Sequence, residues 1–202
     1  MTAPAVDFWF DFASTYSYPA AMRLRTLASA AGVEVKFRPF LLGPIFKAQG
    51  WTTSPFNLFP AKGRNMWRDL ERICAGLSLP PMRRPDPFPQ NSVLAARVAL
   101  VGLTDQWGEE FCRAVFCAEF ADGRRIDDTE TMSAILSKLN VEPSAALVAA
   151  LSDDNKARLR AETEEAQRLG LFGAPSFSTA DGELFWGNDR LEHALAWAKQ
   201  HG

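Results

Sequence analysis

VDFWFDFASTYSY, residues 6–18, is an aromatic, apolar run that breaks into a polar turn, and its reading decides the fold. Residues 6–12 have the composition of a buried strand ending at that turn. Ser14 and Ser17 stand three apart at the strand-to-helix junction, the spacing at which a dithiol enzyme built on such a turn carries Cys-x-x-Cys. With serine at both positions the turn cannot exchange dithiols. It still ends at a helix start, which suits a thiolate brought by another molecule.

Working outward, residues 19–31 carry a helical stripe of Ala20, Leu24, Leu27 and Ala28, closed by Gly32 as a residue just past the helix end. Residues 33–42 (VEVKFRPFLL) alternate as a second strand, and Pro39 places it at a sheet edge or a strand terminus. Strand, helix, strand in this order is a parallel crossover. At the other end, residues 174–178 and 183–186 flank Asp181-Gly182, a hairpin signal. Asn188 or Asp189 is positioned to cap a last helix carrying Leu191, Leu195 and Ala198.

Between these ends, residues 43–65 read as loop, broken by Pro44, Gly50, Pro55, Pro60 and Gly63. Trp51, Phe56 and Phe59 in that stretch either line a pocket or cover a helical layer. Residues 66–75 read as a helix and 82–89 (MRRPDPFP) as a stiff connection. Residues 91–104, 105–121, 127–139, 143–152 and 153–169 each show helical spacing. The expected fold is α/β: a thioredoxin-like domain formed by residues 1–43 and 166–202, with a large all-helical insertion at 44–165.

Bulk composition narrows the function. A chain of 202 residues that is 47% hydrophobic can bury a substantial core. Its net charge of -2 and pI of about 5.8, with scattered basic residues, give no electrostatic case for nucleic acid or an anionic membrane as partner. Neither a secretory start nor an apolar run of membrane-spanning length is evident, so a cytoplasmic location is expected. Cys74, Cys112 and Cys117 match no zinc or redox spacing and read as buried free thiols. His193 and His201 are the only histidines, too few for a histidine relay or a His-rich metal site, so no metal is expected.

FDFASTYSY at the first turn and FWGNDRL at residues 185–191 resemble the signatures of 2-hydroxychromene-2-carboxylate isomerases and the related kappa-class glutathione transferases, in the DsbA-like branch of the thioredoxin fold. The resemblance covers essentially the whole chain. It implies glutathione as cofactor, with Ser14 as the catalytic residue that donates a hydrogen bond to the glutathione thiolate; read alone, Ser14 is an ordinary helix-cap serine. Ala174-Pro175 resembles a cis-proline loop whose backbone pairs with the cysteinyl unit, and Trp186, Gly187, Asn188 and Asp189 resemble the turn that holds the γ-glutamyl end.

Lys47, Asn57, Lys62, Asp69 and Asn91 fall where family members place polar groups facing the substrate pocket, the lysines suiting a carboxylate. The run Pro-Phe-Asn-Leu-Phe-Pro departs from the polar stretch of the naphthalene-pathway isomerases, which leaves the identity of the aromatic carboxylate substrate open. The resemblance implies isomerisation of 2-hydroxychromene-2-carboxylate or a related aromatic catabolite. The alternatives are a kappa-class-like glutathione transferase and a non-catalytic DsbA-like binding module. A homodimer is compatible with the resemblance, though no residue marks its interface.

Overall fold

The opening aromatic run forms β1 (Ala5–Phe10), an inner strand of a four-stranded sheet ordered β2-β1-β3-β4. The computed structural model describes residues 3–202. β2 (Glu34–Pro39) runs parallel to β1, β3 (Ser176–Thr179) is antiparallel to it, and β4 (Leu184–Trp186) pairs antiparallel with β3. Pro39 ends an edge strand, as expected.

Because side chains alternate along a strand, β1 feeds two cores. Val6, Phe8 and Phe10 enter the larger one, where Phe8 stacks on Phe10 at 5.0 Å and on Phe177 at 5.5 Å. Trp9 points to the opposite face, into a smaller cluster with Phe40, Ile45, Ala166 and Leu171. Its indole N–H donates to Ser178 Oγ at 2.9 Å, so the buried polar atom is satisfied.

α1 (Ser17–Ala31) follows the polar turn and ends at Gly32 in the left-handed region, φ 69°, where Val33 N–H returns to Ala28 C=O at 3.0 Å. The expected loop over residues 43–65 is largely helical instead. α2 (Leu42–Ala48), α3 (Pro55–Leu58) and the start of α4 (Pro60–Gly76) lie there. The prolines read as breakers are helix starters: Pro55 and Pro60 are first residues of their helices, and Pro44 sits in the first turn of α2. Their missing N–H groups would have had no intrahelical partner there.

The remaining helices are α5 (Val93–Gly102), α6 (Gly108–Phe120), α7 (Thr129–Lys138), α8 (Pro143–Ala150), α9 (Asp153–Arg168) and α10 (Leu191–His201). Phe10 and Phe12 pack on Phe116 of α6 at 5.7 and 5.0 Å, so the sheet and the inserted helices share one core. Neither Asn188 nor Asp189 caps α10. A single 3-10 turn, Asn188–Arg190, precedes it and Arg190 takes the cap position without a side-chain bond, because the Asn188 side chain is engaged by Arg23 of α1.

Cys74 and Cys112 are buried, Cys117 is half-buried, and all three are free. Burial pushes each thiol above its ordinary pKa, which keeps it protonated and unreactive at neutral pH. Among the described residues no helix is long and apolar enough to cross a membrane.

Candidate active site

Three chain segments meet at one end of the sheet, and strand register puts them there. β1 runs out at Phe10, and the chain turns through residues 11–16, with Ser14 N–H on Asp11 C=O at 2.9 Å and Ser17 N–H on Ser14 C=O at 3.1 Å. Pairing of Trp9 with Ser176 brings the residues just before β3 beside this turn. There the Ala174-Pro175 peptide bond is cis, and the buried Ser14 hydroxyl donates to Ala174 C=O at 2.9 Å across 160 residues of chain. Among the described residues the N–H groups of Thr15 and Tyr16, at the approach to α1, find no acceptor. A hydroxyl and two free N–H groups at a helix start favour an anion.

Pairing of Ser176 with Trp186 delivers the third segment. Gly187 N–H donates to Pro175 C=O at 2.9 Å, extending the β3–β4 ladder past the strand ends. Gly187 itself has φ 113°, a conformation other residues rarely adopt. The Trp186 indole covers Gly173 so closely that a Cβ there would lie 2.5 Å from its Nε1, and it packs on Phe172 with ring centroids 4.9 Å apart. Asn188 is buried. Arg23 donates to its side-chain oxygen at 3.2 Å, to its carbonyl, and to Glu192. Asp189 is exposed and pairs with Arg190 at 3.3 Å.

One face of α4 walls the site. Lys62, Met66, Asp69, Ile73 and Gly76 recur at helical intervals and line or divide two clefts. The first, about 480 Å³, has Arg23, Arg72, Asn188, Asp189 and His193 in its lining. The second, about 420 Å³, is formed by Tyr16, Phe56, Ala61, Lys62, Asn65 and Met66. Tyr16 donates to Asp69 Oδ2 at 3.0 Å and ties the approach to α1 to α4. Burial raises the Tyr16 phenol pKa, and Asp69 and Asp189 raise it further against the opposing charge of Arg72, so Tyr16 stays a neutral donor.

Of the residues expected on the substrate side, Lys62 lies in the second cleft, its ammonium 4.8 Å from the centre of the Phe59 ring. Lys47 is exposed in the last turn of α2 and forms no ion pair among the described residues. Asn57 is occupied in joining α3 to the proline-rich connection, donating to Phe88 C=O at 3.0 Å. Asn91 accepts from Val93 N–H at 3.0 Å at the entry to α5.

Sequence reasoning gave no site role to Arg23, Tyr16 or Asn65, which the fold places at these clefts. Reading the start of α4 as loop concealed the helical turn that carries Asn65 to the second cleft, whereas Arg23 carries no local signal, since its partners are 165 and 169 residues away.

The chain matches the family model described as DSBA-like thioredoxin domain over residues 5–196. It is 31% identical to a 2-hydroxychromene-2-carboxylate isomerase of Pseudomonas sp. (strain C18), covering 98% of this chain and 92% of that protein. It is 28% identical to glutathione S-transferase kappa 1 of Caenorhabditis elegans, over 96% of this chain and 89% of that one. Among solved structures, a 2-hydroxychromene-2-carboxylate isomerase superposes with a TM-score of 0.87 at 25% identity, covering 98% of this chain and 95% of that one.

Proposed function

The chain belongs to the 2-hydroxychromene-2-carboxylate isomerase family of DSBA-like thioredoxin domains, and from that premise we propose that it is a glutathione-dependent isomerase of 2-hydroxychromene-2-carboxylate or a related aromatic carboxylate. The observation that carries this reading is the hydrogen bond from Ser14 Oγ to Ala174 C=O. It joins the polar turn to the cis-proline loop, the two segments a cysteinyl unit would have to touch at once.

The residues fit glutathione in kind. Ala174 offers backbone groups for a short strand-like pairing, Ser14 and the free N–H groups of Thr15 and Tyr16 offer donors for sulfur, and Asn188 and Asp189 lie at the first cleft, where an ammonium and a carboxylate need partners. Glutathione held by these residues would supply a thiolate for reversible addition to the conjugated system of the substrate, the chemistry that permits rotation about a double bond without net consumption of the thiol.

The chain's own work is to favour that thiolate and to orient the carboxylate. With glutathione held there, the Ser14 hydroxyl would donate to the sulfur in place of Ala174 C=O, and that carbonyl would accept an N–H from the ligand backbone, so neither buried group would be stranded. Ser14 serves as a donor and not as a nucleophile, because no histidine or lysine neighbours it in the sequence to take its proton and its hydroxyl is already directed as a donor to Ala174 C=O. Lys62 in the second cleft and Lys47 on α2 supply positive charge for the substrate carboxylate. Three free thiols suit a reducing compartment such as the cytoplasm, where reduced glutathione is available.

An ultraviolet titration of glutathione in the complex tests the reading: a thiol pKa below that of free glutathione supports it, and an unchanged value rejects it in favour of a thiol-free binding module. The similarity to a kappa 1 transferase favours a second reading, conjugation of glutathione to an electrophile. Mass spectrometry separates the two, since isomerisation returns glutathione quantitatively and conjugation consumes it.

A further inference from the structure

One buried carboxyl group beneath the Ser14 turn has no place in the chemistry above. Asp11 is 4% exposed, in a strand end otherwise made of aromatic side chains. Its two oxygens face different elements. Oδ1 accepts from Ala13 N–H at 3.0 Å, inside the turn that presents Ser14, and Oδ2 accepts from Leu42 N–H at 2.7 Å, the first residue of α2. The Asp11 carbonyl takes Ser14 N–H as well, so Asp11 holds the turn from both its main chain and its side chain.

Asp11 also has an acidic neighbour. Glu119 of α6 is buried close enough for its charge and that of Asp11 to be felt by one another, with neither of its buried oxygens partnered. Burying an acid at this depth is costly unless its acceptors are used, and here both oxygens are used, on two separate elements.

We infer that Asp11 is a positioning residue that locks the Ser14 turn to the first turn of α2, fixing Ser14 and Lys47 relative to one another. It reaches neither end of the reaction directly: Ser14 lies three residues along the turn, and Lys47 lies five residues beyond Leu42 on α2. α2 is short, and besides this carboxyl group it is held by Ile45 and Leu42 against the smaller core, by Leu41 against the larger one, and by Leu41 N–H on Thr163 Oγ1 at 3.2 Å. Loss of the Asp11 tie leaves Leu42 N–H without its acceptor and loosens the first turn of the helix that bears the cation together with the turn that bears the hydroxyl. This inference rests on the glutathione and carboxylate roles proposed for Ser14 and Lys47.

Asp11→Asn keeps the shape and offers one oxygen where two N–H groups need one each. It is measured in two double-mutant cycles, with Lys47→Met for the KM toward the chromene carboxylate substrate and with Ser14→Ala for the thiol pKa of bound glutathione. Asp11→Asn alone raises KM about tenfold and the thiol pKa by about one unit; added to Lys47→Met it changes KM less than about twofold, and added to Ser14→Ala it leaves the thiol pKa unchanged. Additive effects in either cycle, as general loosening of the fold produces, overturn the inference.

Should Asp11→Asn not fold, the wild-type protein labelled with nitrogen-15 answers the same question. Adding glutathione shifts the amide signals of both Ala13 and Leu42. Shifts at Ser14 and Ala174 without one at Leu42 refute the coupling alone, whereas no shift at any of the four removes the glutathione reading and this inference with it.

Discussion

Replacing Ser14 by Ala removes one hydroxyl, and its consequences can be worked through from a single contact. That hydroxyl, on a buried residue, donates to Ala174 C=O at 2.9 Å. Losing a neutral hydrogen bond there costs about 1 kcal/mol of stability, or about 2–4 °C in Tm for a chain of this size. Toward a thiolate the hydroxyl is worth more, because bonds to charged partners contribute about 1.5–3 kcal/mol. At about 1.36 kcal/mol per pKa unit, the bound thiol pKa rises by about one to two units in the variant.

Below both pKa values the thiolate population, and with it the isomerisation rate at saturating glutathione, falls about 10- to 100-fold. The sign of the pH dependence is set by the same shift: activity rises with pH as the thiol ionises, and Ser14→Ala moves that rise to higher pH, so the two proteins converge above the variant's pKa. The assay is a pH profile of kcat beside an ultraviolet thiolate titration. An unmoved inflection, or a rate deficit that persists at high pH, refutes the assignment of Ser14 as a donor to sulfur.

Other consequences follow from neighbouring contacts. Gly173→Ala places a methyl where Trp186 Nε1 would be 2.5 Å away, so the indole must move; calorimetry should show glutathione binding weakened by about tenfold or more, with a lowered Tm. Arg23→Met releases Asn188 and Glu192 from α1 and weakens glutathione binding while leaving the bound thiol pKa where it was, because Ser14 is untouched. A concordant pKa change would contradict that division of labour. Glu119→Gln tests the buried acid under the turn. Burial, aided by the Asp11 charge, holds the Glu119 carboxyl well above its ordinary 4.5, so the folded chain binds a proton that the unfolded chain releases. Wild-type stability therefore falls as pH rises from about 4.5 toward the folded pKa, by up to about 1.4 kcal/mol per unit, and the glutamine variant lacks that contribution. Denaturant melts of both proteins across this range check the divergence; parallel curves would show that Glu119 ionises normally.

The terminal strands, the Ser14 turn and the hairpin were legible because their signals are local. Val6, Phe8 and Phe10 alternate, Gly32 ends a helix, and Asp181-Gly182 marks a reversal, each readable within a few residues. The region after β2 misled because proline has two opposite meanings, breaker inside a helix and starter at its first turn, and only the folded backbone shows which one Pro44, Pro55 and Pro60 carry.

By itself, then, the chain's order of residues determined the fold class and the absence of a dithiol at the turn, since both depend on short-range pattern and on residue identity. Tertiary structure alone decided which groups share a site. Ser14 meets Ala174, Arg23 reaches Asn188, and Asp11 receives Leu42, pairs 160, 165 and 31 residues apart, because strand register and helix packing bring together side chains whose separation in sequence carries no trace of it.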